Sequence, residues 1–364
     1  MSIVSIIMAV FSVLGALDYI TGNHIGIGKE FERGIMLLGT MTLSMVGMIV
    51  IAPLIAELLM PVLTVISENT PFEPSVIAGS FLANDMGGAP LALKLAKTPE
   101  SGYFNGLVVG SMMGATISFS LPLALGTTKK EQHKSIMLGL MCGISAVPVG
   151  CFVSGLIAGM PFGELMINLI PLIVLSVILA IGLLKIPEVC VKIFNVFGII
   201  IKTIIIIGLV IGIVEFLLGV EFVPHTDPVE DGILVVFNAS AVMTGAFPLL
   251  FLLGKAVKKP LKKLGETLGM NEVSALGFVS TLATNVTTFS MMKDMDDKGV
   301  VLNSAFAVSA AFTFAGHLAF TMSFNEEYLL SVIVGKLIAG VCALFAAQFI
   351  YSRVSRRNAA GTER

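Results

Sequence analysis

The chain has 364 residues, of which 56% are hydrophobic and only 13% charged, whereas ordinary soluble domains carry about 25% charged residues. A globule of this size has no means of hiding so much apolar surface from water. The composition therefore excludes a soluble enzyme, a disordered regulator and a nucleic-acid binder. Mean hydropathy is +0.97, which makes the bilayer the solvent and the chain an integral membrane protein. The net charge of −2 says little about partners; the position of each charge says more.

The first element is the apolar run 3–20. Met1-Ser2-Ile3-Val4 lacks a basic stretch, and the run is followed by more of the same kind. This reads as a first span rather than a cleaved signal peptide. Runs of about 20 apolar residues cross the hydrocarbon core as helices. They predict further spans over 35–59, 104–125, 136–157, 165–184, 199–218, 233–253, 300–320 and 329–349. Two segments, 75–97 and 271–292, are moderately apolar and interrupted near their middles by polar residues or glycine. The predicted fold is an all-α polytopic membrane protein: one transmembrane domain of about nine transmembrane helices plus two re-entrant hairpins.

Lysine and arginine set the orientation. Arg353, Arg356 and Arg357 place the C-terminal tail, 353–364, in the cytoplasm. Lys255, Lys258, Lys259, Lys262 and Lys263 place a predicted loop over 254–263 there too, as do Lys129, Lys130 and Lys134, and Lys185 with Lys192. The loop 219–231 carries Glu221, Asp227, Glu230 and Asp231 without Lys or Arg and is expected outside, as is the loop holding Glu326 and Glu327. Alternation then puts the N-terminus outside, provided each hairpin enters and leaves on one side.

The chain also repeats itself. Glu32-Arg33-Gly34 resembles Glu230-Asp231-Gly232, Ala52-Pro53-Leu54 resembles Phe247-Pro248-Leu249, Leu82-Ala83-Asn84-Asp85 aligns with Leu282-Ala283-Thr284-Asn285, and Asn105 falls opposite Asn303. A nearly constant offset runs through all of them. With an odd number of spans in the first half, 1–190, the second half, 191–352, starts on the other side. That is an inverted-topology repeat, the usual construction of secondary transporters.

The hairpin tips carry the chemistry, because irregular backbone at membrane depth must be buried or line a cavity. The first tip reads Asn84-Asp85-Met86-Gly87-Gly88-Ala89-Pro90; its glycines and proline break a helix and expose backbone groups. The second is dense in hydroxyls and amides, including Thr284, Asn285 and Thr287. Asp85 is the one carboxylate expected at the meeting point, and an intramembrane acid marks function by default. Asn105, Asn303 and Asn238 line a cavity or bond between helices. His317 relays protons or packs. Asp18, Glu57, Lys202 and Glu215 are expected to snorkel at helix ends, and Asp294, Asp296 and Asp297 to form a solvated loop. Gly106, Gly110 and Gly114 let helices approach closely, within the chain or between protomers of a homo-oligomer. Cys142, Cys151, Cys190 and Cys342 show no metal-ligand or redox spacing, and no cofactor is called for.

The tip Asn84-Asp85-Met86-Gly87-Gly88, the run Met291-Met292-Lys293-Asp294-Met295 leading to Asn303-Ser304-Ala305-Phe306, and Ala311-Phe312-Thr313-Phe314 followed by His317-Leu318-Ala319-Phe320-Thr321 are similar to the ethanolamine permease family of bacterial ethanolamine-utilisation operons. The resemblance covers essentially the whole chain. It implies uptake of ethanolamine across the bacterial plasma (inner) membrane by a transporter, not an enzyme, feeding an ammonia-lyase inside. The family pattern often has an acidic residue before the histidine, where Gly316 stands here.

Ethanolamine is a primary amine, largely protonated near neutral pH. A cation needs a carboxylate or aromatic faces; the chain has no Trp, which leaves Phe81, Phe119, Phe289 and Phe312. Asp85 for the charge, with Asn285 and Thr287 for the hydroxyl, is the simplest assignment. With one buried acid and no second acid beside His317, the predicted transport is electrogenic uniport of the protonated amine. The competing readings are an ion-coupled symporter of an amino acid or nucleoside and a multispan membrane enzyme.

Overall fold

The computed structural model describes residues 3–362, with no strand among them. In chain order the helices are α1 (Ile3–Ile20), α2 (Gly28–Asn69), α3 (Ser75–Phe81), α4 (Gly88–Leu95), α5 (Pro99–Thr127), α6 (Lys130–Ile157), α7 (Phe162–Lys185) and α8 (Pro187–Leu218). They continue with α9 (Val229–Leu268), α10 (Glu272–Ala283), α11 (Asn285–Met291), α12 (Asp297–Ala310), α13 (Gly316–Phe324) and α14 (Leu329–Thr362). Among the described residues, eight helices are long and apolar enough to cross a membrane. The chain is a multi-pass membrane protein.

Eight of the nine sequence-predicted spans are continuous helices. The run 300–320 is not; it breaks between α12 and α13 at residues 311–315. Phe312 has a left-handed φ of 59°, which costs a bulky residue about 1–3 kcal/mol. The break is held because the Phe312 and Phe314 amides donate to the Thr281 and Leu282 carbonyls at 3.1 Å. Those carbonyls end α10 and have no partner within their own helix. Thr313 Oγ1 in turn donates to the Ala310 carbonyl at 2.7 Å, at the end of α12. One helix end thus satisfies another, which no hydropathy pattern reveals.

A second difference concerns residues 254–263, expected as a loop. α9 continues through them to Leu268. The side chains of Lys258, Lys259, Lys262, Arg356 and Arg357, and all of Met1 and Ser2, lie outside the described residues.

Both interrupted segments are helix–break–helix units whose two ends are tied together. In the first, the buried Glu73 carboxylate accepts from Ser75 Oγ at 2.9 Å and from the Lys97 amide at 3.1 Å. In the second, Asn271 Oδ1 caps α10 through the Ser274 amide at 2.8 Å. Asn271 Nδ2 donates to the Asp294 carbonyl at 2.9 Å, and Asp296 accepts from Ser274 Oγ at 2.6 Å. Asp297 accepts from Ser135 Oγ. The acidic cluster expected as a solvated loop therefore fastens the base of the second unit.

Three of the four residues expected to snorkel, Asp18, Glu215 and Glu57, make defined contacts. Asp18 is buried and accepts from the amides of Ile25, Gly26 and Gly28 at 2.8–3.0 Å, shaping the turn into α2. Glu215 accepts from the Phe222 and Val223 amides and from Thr226. Glu57 meets His225 Nδ1 at 2.5 Å, and that hydrogen bond raises the histidine's pKa above its ordinary value. Lys202 is exposed.

α5 is the centre of the molecule. It is buried along most of its length, and residues 104–114 and 116–120 are wound as wider π-helix, a form concentrated at functional sites. Its glycine stripe is the groove in which the first interrupted unit lies. A side chain at Gly106 would meet Ala89 of α4, and one at Gly110 would meet the Asn84 backbone at 3.1 Å. Gly114 faces the carbonyls of Gly79 and Leu82. The stripe thus serves packing within the chain. α7 and α8 turn rows of exposed isoleucine, valine and leucine outward, the pattern of lipid-facing helices.

Candidate functional site

The first break begins where α3 ends. Leu82 leaves the helix in an extended conformation, Asn84–Met86 form one 3₁₀ turn, and Gly87 adopts φ 94°. Only glycine takes that backbone readily. The Met86 and Gly88 amides donate to the Ala83 carbonyl at 3.0 and 2.9 Å. This compact turn presents Asn84 and Asp85 next to each other. Asn84 is fully buried, yet neither its amide nitrogen nor its oxygen has a partner. Asp85 keeps about a quarter of its side chain exposed.

Asp85 faces α13. Its Oδ1 lies 3.9 Å from His317 Nε2, within ionic range but beyond a direct hydrogen bond. Gly316 leaves an opening against the carboxylate: a Cβ there would stand 3.6 Å from Asp85 Oδ2. An acidic side chain at 316 would confront Asp85, and glycine leaves that space free. On its other side His317 Nδ1 meets Lys336 Nζ of α14 at 3.1 Å. Lys336 is completely buried, and its ammonium also donates to the Ser111 carbonyl of α5 at 2.6 Å. A lysine donor on Nδ1 leaves the imidazole proton on Nε2, pointing at Asp85. Asp85, His317 and Lys336 thus form a chain of three ionisable groups from three separate elements.

The two breaks meet on one segment of α5. The Ala83 amide donates to Ser118 Oγ at 3.2 Å, and Asn285 Nδ2 donates to Ser120 Oγ at 2.6 Å. Asn285 Oδ1 is buried without a partner. Between the two serines, Phe119 packs edge-on against Phe312 at 5.7 Å, and Phe312 lies 5.1 Å from the His317 ring. Of the four aromatic candidates, these two flank the chain of ionisable groups. Phe81 packs on Phe197, and Phe289 is buried in the apolar core.

The remaining sequence-predicted residues stand elsewhere. Gly87 and Gly88 shape the turn, with Gly87 against Met48. Thr284 caps α11 by accepting from the Val286 amide at 3.2 Å. Thr287 is exposed; its neighbour Thr288 turns inward onto Thr281 at 3.0 Å. Asn105 bonds Ser75 at 2.8 Å and Asn168 of α7 at 2.5 Å. Asn303 donates to the carbonyls of Ser274 and Gly299 at 2.9 Å. Asn238 is exposed on α9, whereas Ser240 and Thr244 on that helix bond Gly34 and Ser12.

Lys336 was missed by the sequence reading, although a lone lysine inside the apolar run 329–349 is a signal that the same argument used for Asp85. Ser118 and Ser120 carry no such signal, since a serine in an apolar helix is more often bonded to its own backbone.

A model of the family described as "Ethanolamine utilisation protein, EutH" matches residues 1–350. A protein of Listeria monocytogenes named "Probable ethanolamine permease EutH" is 44% identical, over 98% of this chain and 96% of its own length. One of the same name from Escherichia coli is 38% identical, over 96% and 95%. An uncharacterised Bacillus subtilis protein, YxeR, is 37% identical over 94% and 93%. No solved structure gives a significant match. With a matching family model over nearly its whole length and full-length relatives at this identity, the chain belongs to the EutH family of ethanolamine utilisation proteins.

Proposed function

We propose that the chain carries protonated ethanolamine across the bacterial plasma membrane by alternating access. In this reading Asp85 holds the ammonium, while Asn84 and Asn285 take the hydroxyl. The observation that carries it is the Asn84 amide, fully buried beside Asp85 with both polar atoms unpartnered. A buried polar group left unsatisfied costs about 1–3 kcal/mol. Such a cost is borne where a ligand completes the hydrogen bonds. The ethanolamine hydroxyl both donates and accepts, which suits an amide. The names of the relatives, probable ethanolamine permeases, agree with this substrate and with transport rather than catalysis.

The reading includes an inverted repeat, with 75–97 and 271–292 re-entering from opposite sides and their tips meeting near the midplane. It is supported by matched details at a nearly constant offset. Asn105 bonds Ser75 at the start of the first unit, and Asn303 bonds Ser274 at the start of the second. Gly79 abuts Asn105, and Gly277 abuts Asn303. The lysine and arginine distribution supports an external N-terminus and a cytoplasmic C-terminus.

Proteoliposomes containing the purified protein should take up labelled ethanolamine saturably, above protein-free vesicles, with choline and serine competing poorly. Flux no greater than in protein-free vesicles would refute the reading.

A further inference from the structure

We infer that Lys336 is the site's resident cation and that each ethanolammonium is exchanged for one proton delivered from Lys336 through His317. The inference rests on the substrate reading above. It replaces the electrogenic uniport expected when Asp85 was the one charge in view.

Asp85 and Lys336 sit at the two ends of one short chain, 3.9 Å and 3.1 Å from opposite nitrogens of His317. With Asp85 ionised and Lys336 protonated, the site is neutral before substrate arrives. Adding an ethanolammonium would leave a net positive charge inside the membrane, which is strongly disfavoured. The site returns to neutrality if Lys336 gives up one proton. Lys336 is fully buried, so that proton needs a route, and His317 supplies one.

The steps balance. Lys336 Nζ gives a proton to His317 Nδ1 while Nε2 gives its own proton to Asp85, leaving a neutral lysine, a neutral imidazole and a protonated carboxyl. The last hop closes roughly 1 Å between Nε2 and Oδ1, within reach of a side-chain rotation. When the substrate ammonium pairs with Asp85, the carboxyl proton passes to water. One ammonium has then entered the site and one proton has left it toward the side the substrate came from. Once the amine is released on the far side, Asp85 takes a proton from water there and the reverse hops recharge Lys336. The titratable groups facing Lys336 from the packed elements are Asp85 from the first tip, His317 from α13 and Cys151 from α6. Of these, Asp85 and His317 form the route.

The test is the number of charges moved per molecule. Proteoliposomes are given a potential of about 100 mV, negative inside, at equal pH near 6, where neutral amine is scarce, and flux in protein-free vesicles is subtracted. A uniporter would accumulate labelled ethanolamine up to about 50-fold under that potential. Wild-type protein should instead show rapid equilibration with no potential-driven accumulation, and an imposed pH gradient, acidic inside, should drive accumulation. Lys336→Met, which leaves Asp85 as the lone charge, should turn transport potential-driven. Lys336→Arg, which cannot release its proton, should bind substrate weakly and not exchange it. Potential-driven accumulation by wild-type protein would overturn the exchange while leaving ethanolamine as the substrate. Absence of any protein-dependent flux would refute the substrate reading, and the exchange with it. The wild-type result decides even if a variant misfolds.

Discussion

Asp85→Asn is expected to lower protein-dependent ethanolamine uptake by about 100-fold or more. Removing one member of a desolvated charge pair costs about 2–5 kcal/mol. Asparagine keeps the shape of the side chain and the 3₁₀ turn that carries it, so the loss reports charge rather than packing. Part of the cost falls on the protein itself, because Lys336 remains buried at the far side of His317 without its counter-charge. Thermal unfolding of the purified variant, measured alongside uptake, separates the two contributions. Asp85→Glu, which restores the charge at a longer reach, should recover part of the uptake. Wild-type rates in Asp85→Asn at matched amounts of protein would remove Asp85 from the site.

Gly114→Val should be nearly as damaging, for a mechanical reason. Even a methyl group at 114 would stand 2.7 Å from the Gly79 carbonyl oxygen and closer still to that of Leu82. Both are backbone atoms at the end of α3, so nothing flexible can give way. Overpacking of this kind costs about 1–3 kcal/mol. Here it also pushes the Asn84–Asp85 turn away from Ser118 and α13. The variant should unfold at lower temperature and lose uptake together. Gly126→Ala, on the same helix with open space around the added methyl, should leave both unchanged. If Gly114→Val transports normally, the first tip does not depend on its seat against α5.

Much of this was legible in the sequence, and the reasons differ by feature. Continuous apolar runs such as 3–20 and 165–184 are read directly, because a spanning helix in lipid must be apolar along its length. The break at Asn84–Gly88 was legible because glycine and proline punctuate helices by local chemistry alone. The break at 311–315 was not. Its residues, Ala-Phe-Thr-Phe-Ala, are apolar enough to continue a span, and what stops the helix is a pair of carbonyls on α10 that accept its amides. That cause lies in tertiary contact, outside the reach of any local pattern.

The site shows the same division. Asp85 and Asn285 stood out as polar residues at interrupted segments, and both are found at breaks fastened to α5. Thr287 did not fare as Thr288 did: within one helical turn, the side that faces inward is set by how α11 docks, and it is Thr288 that is buried. Asn105 and Asn303 were read as cavity or packing residues, and their hydrogen bonds hold the bases of the two units. Lys336 was visible in principle, since a charge at the centre of an apolar run needs a partner. Its partner, however, comes from a helix whose break was not foreseen.

The most direct test of a site that reads both ends of ethanolamine is competition against labelled ethanolamine uptake by analogues that lack one end. Propylamine keeps the ammonium without the hydroxyl, and ethylene glycol keeps the hydroxyls without the charge. Unlabelled ethanolamine should compete best, propylamine weakly because the Asn84 amide stays unsatisfied, and ethylene glycol not at all. Equal competition by ethylene glycol and ethanolamine would contradict a carboxylate-held ammonium and the role assigned to Asp85.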